Sequence, residues 1–254
     1  MTKNPGQEEV WYLRISRLAR SGFILAILAA VMVILAGVGS RFGLWNFLTG
    51  LTILKWGGYV AFAAMGILLI GVTVKRYKRL RLDFIIAGLG LFITLIILGV
   101  LGCWYWTARN VPPIHDITTD TENPPSFVAI LPLRKDAPNP AEYGGQWIAL
   151  QQRAGYPGLG PAILNIPPDQ AFNIALSATR DMRWDIVEAD PTAGRIEATD
   201  TTFWFGFKDD IVVRVSPADG GSRIDVRSVS RVGRSDVGTN ARRIERYLKK
   251  IKAG

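Results

Sequence analysis

One cysteine, Cys103, and one histidine, His115, stand among 254 residues. A lone cysteine excludes an internal disulfide framework. With a single remote histidine it also falls short of the three or four nitrogen and sulfur ligands of a zinc site. Neither a metal nor a cofactor is therefore expected. Charge is missing as well, and it is missing in blocks. Residues 21–40, 56–74 and 84–108 contain no Asp, Glu, Lys, Arg or His over 20, 19 and 25 positions. About 20 apolar residues at 1.5 Å rise cross a hydrocarbon layer, so the sequence predicts a three-helix transmembrane anchor over residues 1–106, with the lipid bilayer as its partner. The first run is longer than a signal-peptide core and two more follow it, which predicts an uncleaved helix. The Val100-Leu101-Gly102-Cys103 string ends the third run, where lipoprotein processing does not act.

The net charge of +9 suggests nucleic acid only until it is divided. Residues 1–106 hold 11 Lys and Arg against 3 Asp and Glu, a net of +8. Residues 107–254 hold 19 against 18, a net of +1. A basic excess confined to membrane flanks sets topology rather than binding nucleic acid. Lys3, Arg14, Arg17 and Arg20 precede the first span, and Lys75, Arg76, Lys78, Arg79 and Arg81 separate the second from the third. Only Arg41, Lys55 and Arg109 flank the spans on the other side. This bias predicts a cytoplasmic N-terminus and a non-cytoplasmic 107–254. In a bacterial inner membrane that side is the periplasm. Trp45, Trp56, Tyr59, Trp104, Tyr105 and Trp106 supply interfacial aromatics. Gly88 with Gly90, or Gly66 with Gly71, would let helices approach closely. No ionisable residue lies mid-span, so the usual mark of an ion pathway is missing.

Beyond the anchor, residues 107–165 are punctuated by Pro112, Pro113, Pro124, Pro125, Pro138, Pro140, Pro157 and Pro161. Proline biases itself and its predecessor to extended geometry, which predicts an ordered, extended segment. Residues 166–254 then read as an α+β domain, a small antiparallel sheet flanked by two helices. Its first helix begins at Pro167-Pro168-Asp169-Gln170 and ends near Met182, with Ala171, Phe172, Ala175, Leu176 and Thr179 on one face. Strands are predicted over 184–189, 195–199, 210–215 and 223–230, the last two joined by an Ala218-Asp219-Gly220-Gly221 hairpin. The aromatic run 203–207 reads as an edge strand or a surface contact. The last helix covers about 240–252. Ile244, Tyr247, Leu248 and Ile251 are apolar there, and Arg242, Arg243, Arg246, Lys249 and Lys250 face water.

Several strings in this half form a recognisable set. They are Ile114-His115-Asp116-Ile117-Thr118-Thr119-Asp120, Glu122-Asn123-Pro124-Pro125, Tyr156-Pro157, Phe207-Lys208-Asp209-Asp210 and the continuous run 226–240. In this order, over roughly 111–252, the chain resembles the bacterial family catalogued as domain of unknown function 1499. The resemblance implies a bacterial envelope setting and no activity.

The residues themselves offer no catalytic constellation. His115 could orient a serine such as Ser228, Ser230 or Ser235, yet no Gly-x-Ser-x-Gly elbow is present. Asp116, Asp120 and Glu122 lack the spacing of a calcium loop. The densest polar cluster comprises Arg227, Ser228, Ser230, Arg231, Arg234, Ser235 and Asn240. Arginine forks and helix-start N–H groups suit an anion, which makes the cluster a candidate ligand site. The competing reading is an internal lattice in which Arg227 or Arg231 pairs with Asp209, Asp210 or Asp236. Three functions follow: a non-enzymatic binding or scaffold module for a protein partner or an anionic lipid or envelope polymer; an envelope lipid or glycan hydrolase or transferase using Asp209, Asp210 and His115; or a structural assembly subunit that makes contact through 203–207 and 111–165.

Overall fold

A computed structural model of the chain describes residues 5–73 and 81–253. It divides into two compact units, one up to Tyr105 with the tripeptide Trp204–Gly206, the other Trp106–Phe203 with Phe207–Gly254. Lys3, Lys75, Arg76, Lys78 and Arg79, and the side chains of Arg14 and Arg81, lie outside the described residues.

The first unit is built on α1 (Pro5–Arg41), α2 (Phe47–Thr73) and α3 (Arg81–Asn110). Each is long and apolar enough to cross a membrane, over Ser16–Arg41, Phe47–Gly71 and Leu82–Asn110. Most of what they bury is small: Ala19, Ala26, Ala29 and Ala36 on α1, Ala61 and Ala64 on α2, Ala87 on α3, with Leu68 and Ile97 the large exceptions. What they expose is large, including Ile24, Phe62 and Leu95. This inverts a water-soluble bundle and fits helices that pack through small residues within lipid. Gly90 allows one of the close approaches, because a side chain there would strike Leu68. Nothing stands within 4 Å of such a side chain at Gly66 or Gly88. Arg20 pairs with Asp83 at 3.3 Å between α1 and α3. Lys55 lies within the second span rather than beside it and is exposed, with Nζ 5.9 Å from the Tyr59 ring.

The second unit contains β1 (Asp116–Thr118), a 3₁₀ turn (Leu131–Arg134), α4 (Gly145–Gly155), β2 (Ala162–Leu164), α5 (Pro168–Asp181), β3 (Asp185–Asp190), β4 (Arg195–Thr201), β5 (Lys208–Ala218), β6 (Gly221–Ser230) and α6 (Thr239–Ile251). The strands form one antiparallel sheet in the order β1-β6-β5-β4-β3, and β2 also pairs with β6. Asp219-Gly220 turns the β5–β6 hairpin, with Gly220 at φ +75°. Segment 107–165 is therefore less extended than its prolines predict. No proline interrupts residues 141–156, and the good helix formers from Gln146 to Arg153 wind into α4. Residues 203–207 form a turn rather than a strand, and Trp204–Gly206 belongs by its contacts to the helical unit.

Strand alternation gives the sheet two unlike faces. On one, Ile196, Ala198, Ile211, Val213, Val215, Ile224 and Val226 meet Ala171, Phe172 and Ala175 of α5 and Ile244, Tyr247, Leu248 and Ile251 of α6. Trp184 and Tyr247 stack there with centroids 5.0 Å apart. Burial raises the Tyr247 phenol well above its ordinary range. The other face carries Glu197, Asp210, Arg214, Asp225 and Arg227. It is covered by an irregular strap whose Phe127 and Ile130 pack on Val212 and Val229.

Candidate functional site

The strap is fastened by ion pairs, and they absorb part of the predicted cluster. Arg227 is buried and donates through Nε and Nη2 to the two oxygens of Asp116 at 3.0 and 2.8 Å. Its remaining donors reach the Pro125 and Ala141 carbonyls at 3.2 and 2.7 Å. The sequence offered Asp209, Asp210 and Asp236 as partners. Asp116 takes that place because β1 runs beside β6 and sets Asp116 opposite Val229, on the same face as Arg227. Burial pushes the Asp116 carboxyl up, against the lowering pull of Arg227. Arg231 grips Asp210 through Nε and Nη2, both at 2.8 Å, and donates to the Leu133 carbonyl at 2.9 Å. Asp210 also accepts from Arg134 at 2.5 Å and from the Thr199 hydroxyl at 2.7 Å.

Farther along this face, Asp225 accepts from Arg223 at 2.8 Å and Arg214 at 2.9 Å. Burial acts to raise its carboxyl, but these two guanidiniums outweigh it and hold the group below the ordinary carboxylate range. Asp120 joins the same pair of arginines, and Glu122 pairs with Arg153. Glu197, fully buried, accepts the Val128, Ala129 and Ile130 backbone N–H groups at 2.8, 3.2 and 2.9 Å.

A second network closes the helix face. Arg243, expected to face water, is 1% exposed. It donates to Asp209 at 2.5 Å, to Asp200 at 2.8 Å and to the Ser228 hydroxyl at 3.2 Å, and it contacts Asn240. The amide nitrogen of Asn240 donates to the His115 carbonyl at 2.9 Å and the Ser230 hydroxyl at 3.1 Å. Arg243 stands one turn before Tyr247, on the buried face of α6, where the acids of β4 and β5 accept it. Asp236 accepts the Gly238 and Asn240 N–H groups at 2.9 and 2.6 Å and so occupies the anion seat at the start of α6 itself. Burial raises its carboxyl, and those backbone hydrogen bonds oppose the rise. The Ser235 hydroxyl accepts the Val237 N–H at 3.1 Å.

Arg234 stands apart from both networks. It is exposed, and among the described residues no carboxylate lies within ion-pair distance of it. It borders an open groove of about 490 Å³ together with Pro113, His115, Asn139, Trp147, Ile148, Gln151 and Gly233. No acid lines this groove. Trp147 is 70% exposed and offers a flat apolar wall. The loop carrying Arg234 is held in an unusual backbone shape, with Gly233 at φ +92° and the β-branched Val237 at φ +53°. Asn139 braces it by donating to the Ser230 and Gly233 carbonyls at 3.0 and 2.9 Å.

Residues 116–251 match the model of a family described as protein of unknown function, DUF1499. The chain belongs to this family. No curated protein and no solved structure matches it. Because the DUF1499 match runs from β1 into the last turn of α6, it takes in the strap, both ion-pair networks and α4.

Within this DUF1499 domain the proposed hydrolytic trio is not brought together. Asp209 and Asp210 are neighbours on β5, so their carboxyls point to opposite faces of the sheet, each held by arginine. His115 lines the groove on neither of those sites. Among the described residues no group of three His, Cys, Asp or Glu could hold a metal ion. Four participants escaped sequence reasoning: Glu197, Arg134, Arg243 and Trp147. Only Trp147 carried a signal, a large aromatic in a polar, glycine-flanked stretch.

Proposed function

We propose that the chain is a membrane-anchored, non-enzymatic binding module of the bacterial envelope, with residues 107–254 on the periplasmic side. Its ligand surface is the groove beside Arg234, which takes a molecule carrying one anionic group on an apolar or ring-bearing body. The observation that carries this reading is the contrast in arginine environments. Arg227, Arg231 and Arg243 are taken up by internal acids, whereas Arg234 borders an acid-free groove beside the exposed Trp147. A guanidinium fork suits a carboxylate or phosphate, and an aromatic wall suits the body attached to it. A volume of about 490 Å³ falls within the range of small-molecule sites. The orientation rests on the distribution of basic residues around the spans, nine on one side against Arg41 and Arg109 on the other.

Two measurements test it. The full chain in zwitterionic detergent is titrated calorimetrically with glucuronate and with glucose, alongside Arg234→Gln and Trp147→Ala. Glucuronate is expected to bind the wild type alone, and glucose to bind none. Equal heats from wild type and Arg234→Gln overturn the groove assignment. A periplasm-dependent reporter fused after Gly254 is expected to be active. Activity of a cytoplasm-dependent reporter in its place overturns the orientation.

A further inference from the structure

A second groove, of about 610 Å³, lies where α5 and α6 end. Arg183, Arg246, Lys249 and Lys250 line it, against only Asp181 and Asp200. Asp200 already accepts from Arg243 at 2.8 Å, and Asp181 stands 3.9 Å from Lys250. Among the described residues, Arg183, Arg246 and Lys249 have no carboxylate within ion-pair distance. The lining thus carries two more positive than negative charges. Lysines in the last turn of α6 complement its dipole, which accounts for Lys249 and Lys250. It does not account for Arg183 or Arg246.

Arg183 carries a second, independent signal. It follows the end of α5 at φ +59°, in the left-handed region, and its N–H reaches the Arg180 carbonyl at 2.9 Å. This is the position at which helices ordinarily place glycine, because a side chain there is strained. Terminating α5 needs no guanidinium. Residues kept in strained backbone conformations concentrate where their side chains serve a site, and this one stands in the lining of a cationic groove.

We propose that this groove binds a phosphate monoester. A phosphate carrying about −1.5 to −2 at neutral pH matches the excess of two positive charges, whereas a single carboxylate leaves part of it uncompensated. Two arginines offer it forked donors, and Met182 and Ala253 offer apolar surface to the ester's body.

The test uses the full chain in nanodiscs of phosphatidylcholine, melted with glycerol 3-phosphate or with chloride at matched ionic strength. A parallel set uses discs containing phosphatidylglycerol. The variants are Arg183→Gly and Arg246→Gln. Glycerol 3-phosphate is expected to raise the wild-type melting temperature beyond chloride, by mass action on the folded state. Arg183→Gly is expected to melt higher than wild type without ligand, since the strain is relieved, while binding glycerol 3-phosphate at least tenfold more weakly. Arg246→Gln is expected to melt as wild type and to bind as weakly. Stabilisation found only in phosphatidylglycerol discs assigns the phosphate to a lipid headgroup and overturns the monoester. Absence of stabilisation in either setting, wild-type affinity in Arg183→Gly, or an Arg183→Gly chain that melts no higher overturns the site.

Discussion

Arg243 and Asp209 meet at 2.5 Å beneath α6, with 1% and 4% of their side chains exposed. Two charges so placed have lost nearly all their hydration, and each is tolerable only because the other is there. Asp200 and the Ser228 hydroxyl complete the shell around the same guanidinium. Arg243→Gln is therefore expected to strand Asp209 and to weaken the docking of α6. Its cost is about 3–5 kcal/mol, the range for removing one partner of a buried pair. Denaturant unfolding followed by far-ultraviolet circular dichroism measures it. Arg243→Met combined with Asp209→Leu removes both charges and is expected to recover much of the loss. A single variant as stable as the wild type refutes the assignment.

Asp225 sets a pH dependence whose sign is fixed. Its carboxyl lies below the ordinary range in the folded chain because Arg223 and Arg214 outweigh the effect of burial. The unfolded chain thus binds its proton first as pH falls through about 4. The pair stabilises the fold above that value, and the contribution is lost as pH drops towards the depressed folded value. Asp225→Asn is expected to be less stable at pH 7 and to show a flatter acid limb over the interval below about pH 4. Melting curves across that interval decide it; parallel acid limbs count against the assignment.

The three spans were legible because absence of charge over some twenty residues has few explanations. The hairpin at Asp219-Gly220 and the helix starting at Pro168 were legible because turn and start signals are local. The environment of Glu197 was not. Strand alternation places it opposite the apolar Ile196 and Ala198, which reads as a solvent-facing position. Only the strap, arriving from nearly seventy residues earlier, makes it a buried acceptor of three N–H groups. Arg227 illustrates the same boundary. An internal ion pair was one of its two readings, but the choice of Asp116 depends on β1 pairing with β6, a non-local event that local spacing does not encode. Arg234 was singled out with its neighbours, whereas Trp147, at the same groove, was not.

The cluster that looked uniform in sequence is therefore expected to separate by variant. Arg227 is 2% exposed, and all of its partners are internal. Replacing it by Gln leaves Asp116 buried without a counter-charge, at a cost of about 3–5 kcal/mol. The Arg231 side chain is 16% exposed, and Asp210 keeps Arg134 when Arg231 is gone. Arg231→Gln is expected to cost less, about 1.5–3 kcal/mol, the range for a hydrogen bond to a charged group. Arg234→Gln removes no internal partner, so stability is expected to stay within about 0.5 kcal/mol, as for ordinary surface changes. It is also the change among the three expected to abolish stabilisation by glucuronate without prior damage to the fold. Thermal melting of the full chain and its three variants, with and without glucuronate, reads both orders at once. An Arg234→Gln chain destabilised as much as Arg227→Gln would move Arg234 into the lattice and leave the groove without its anion-binding group.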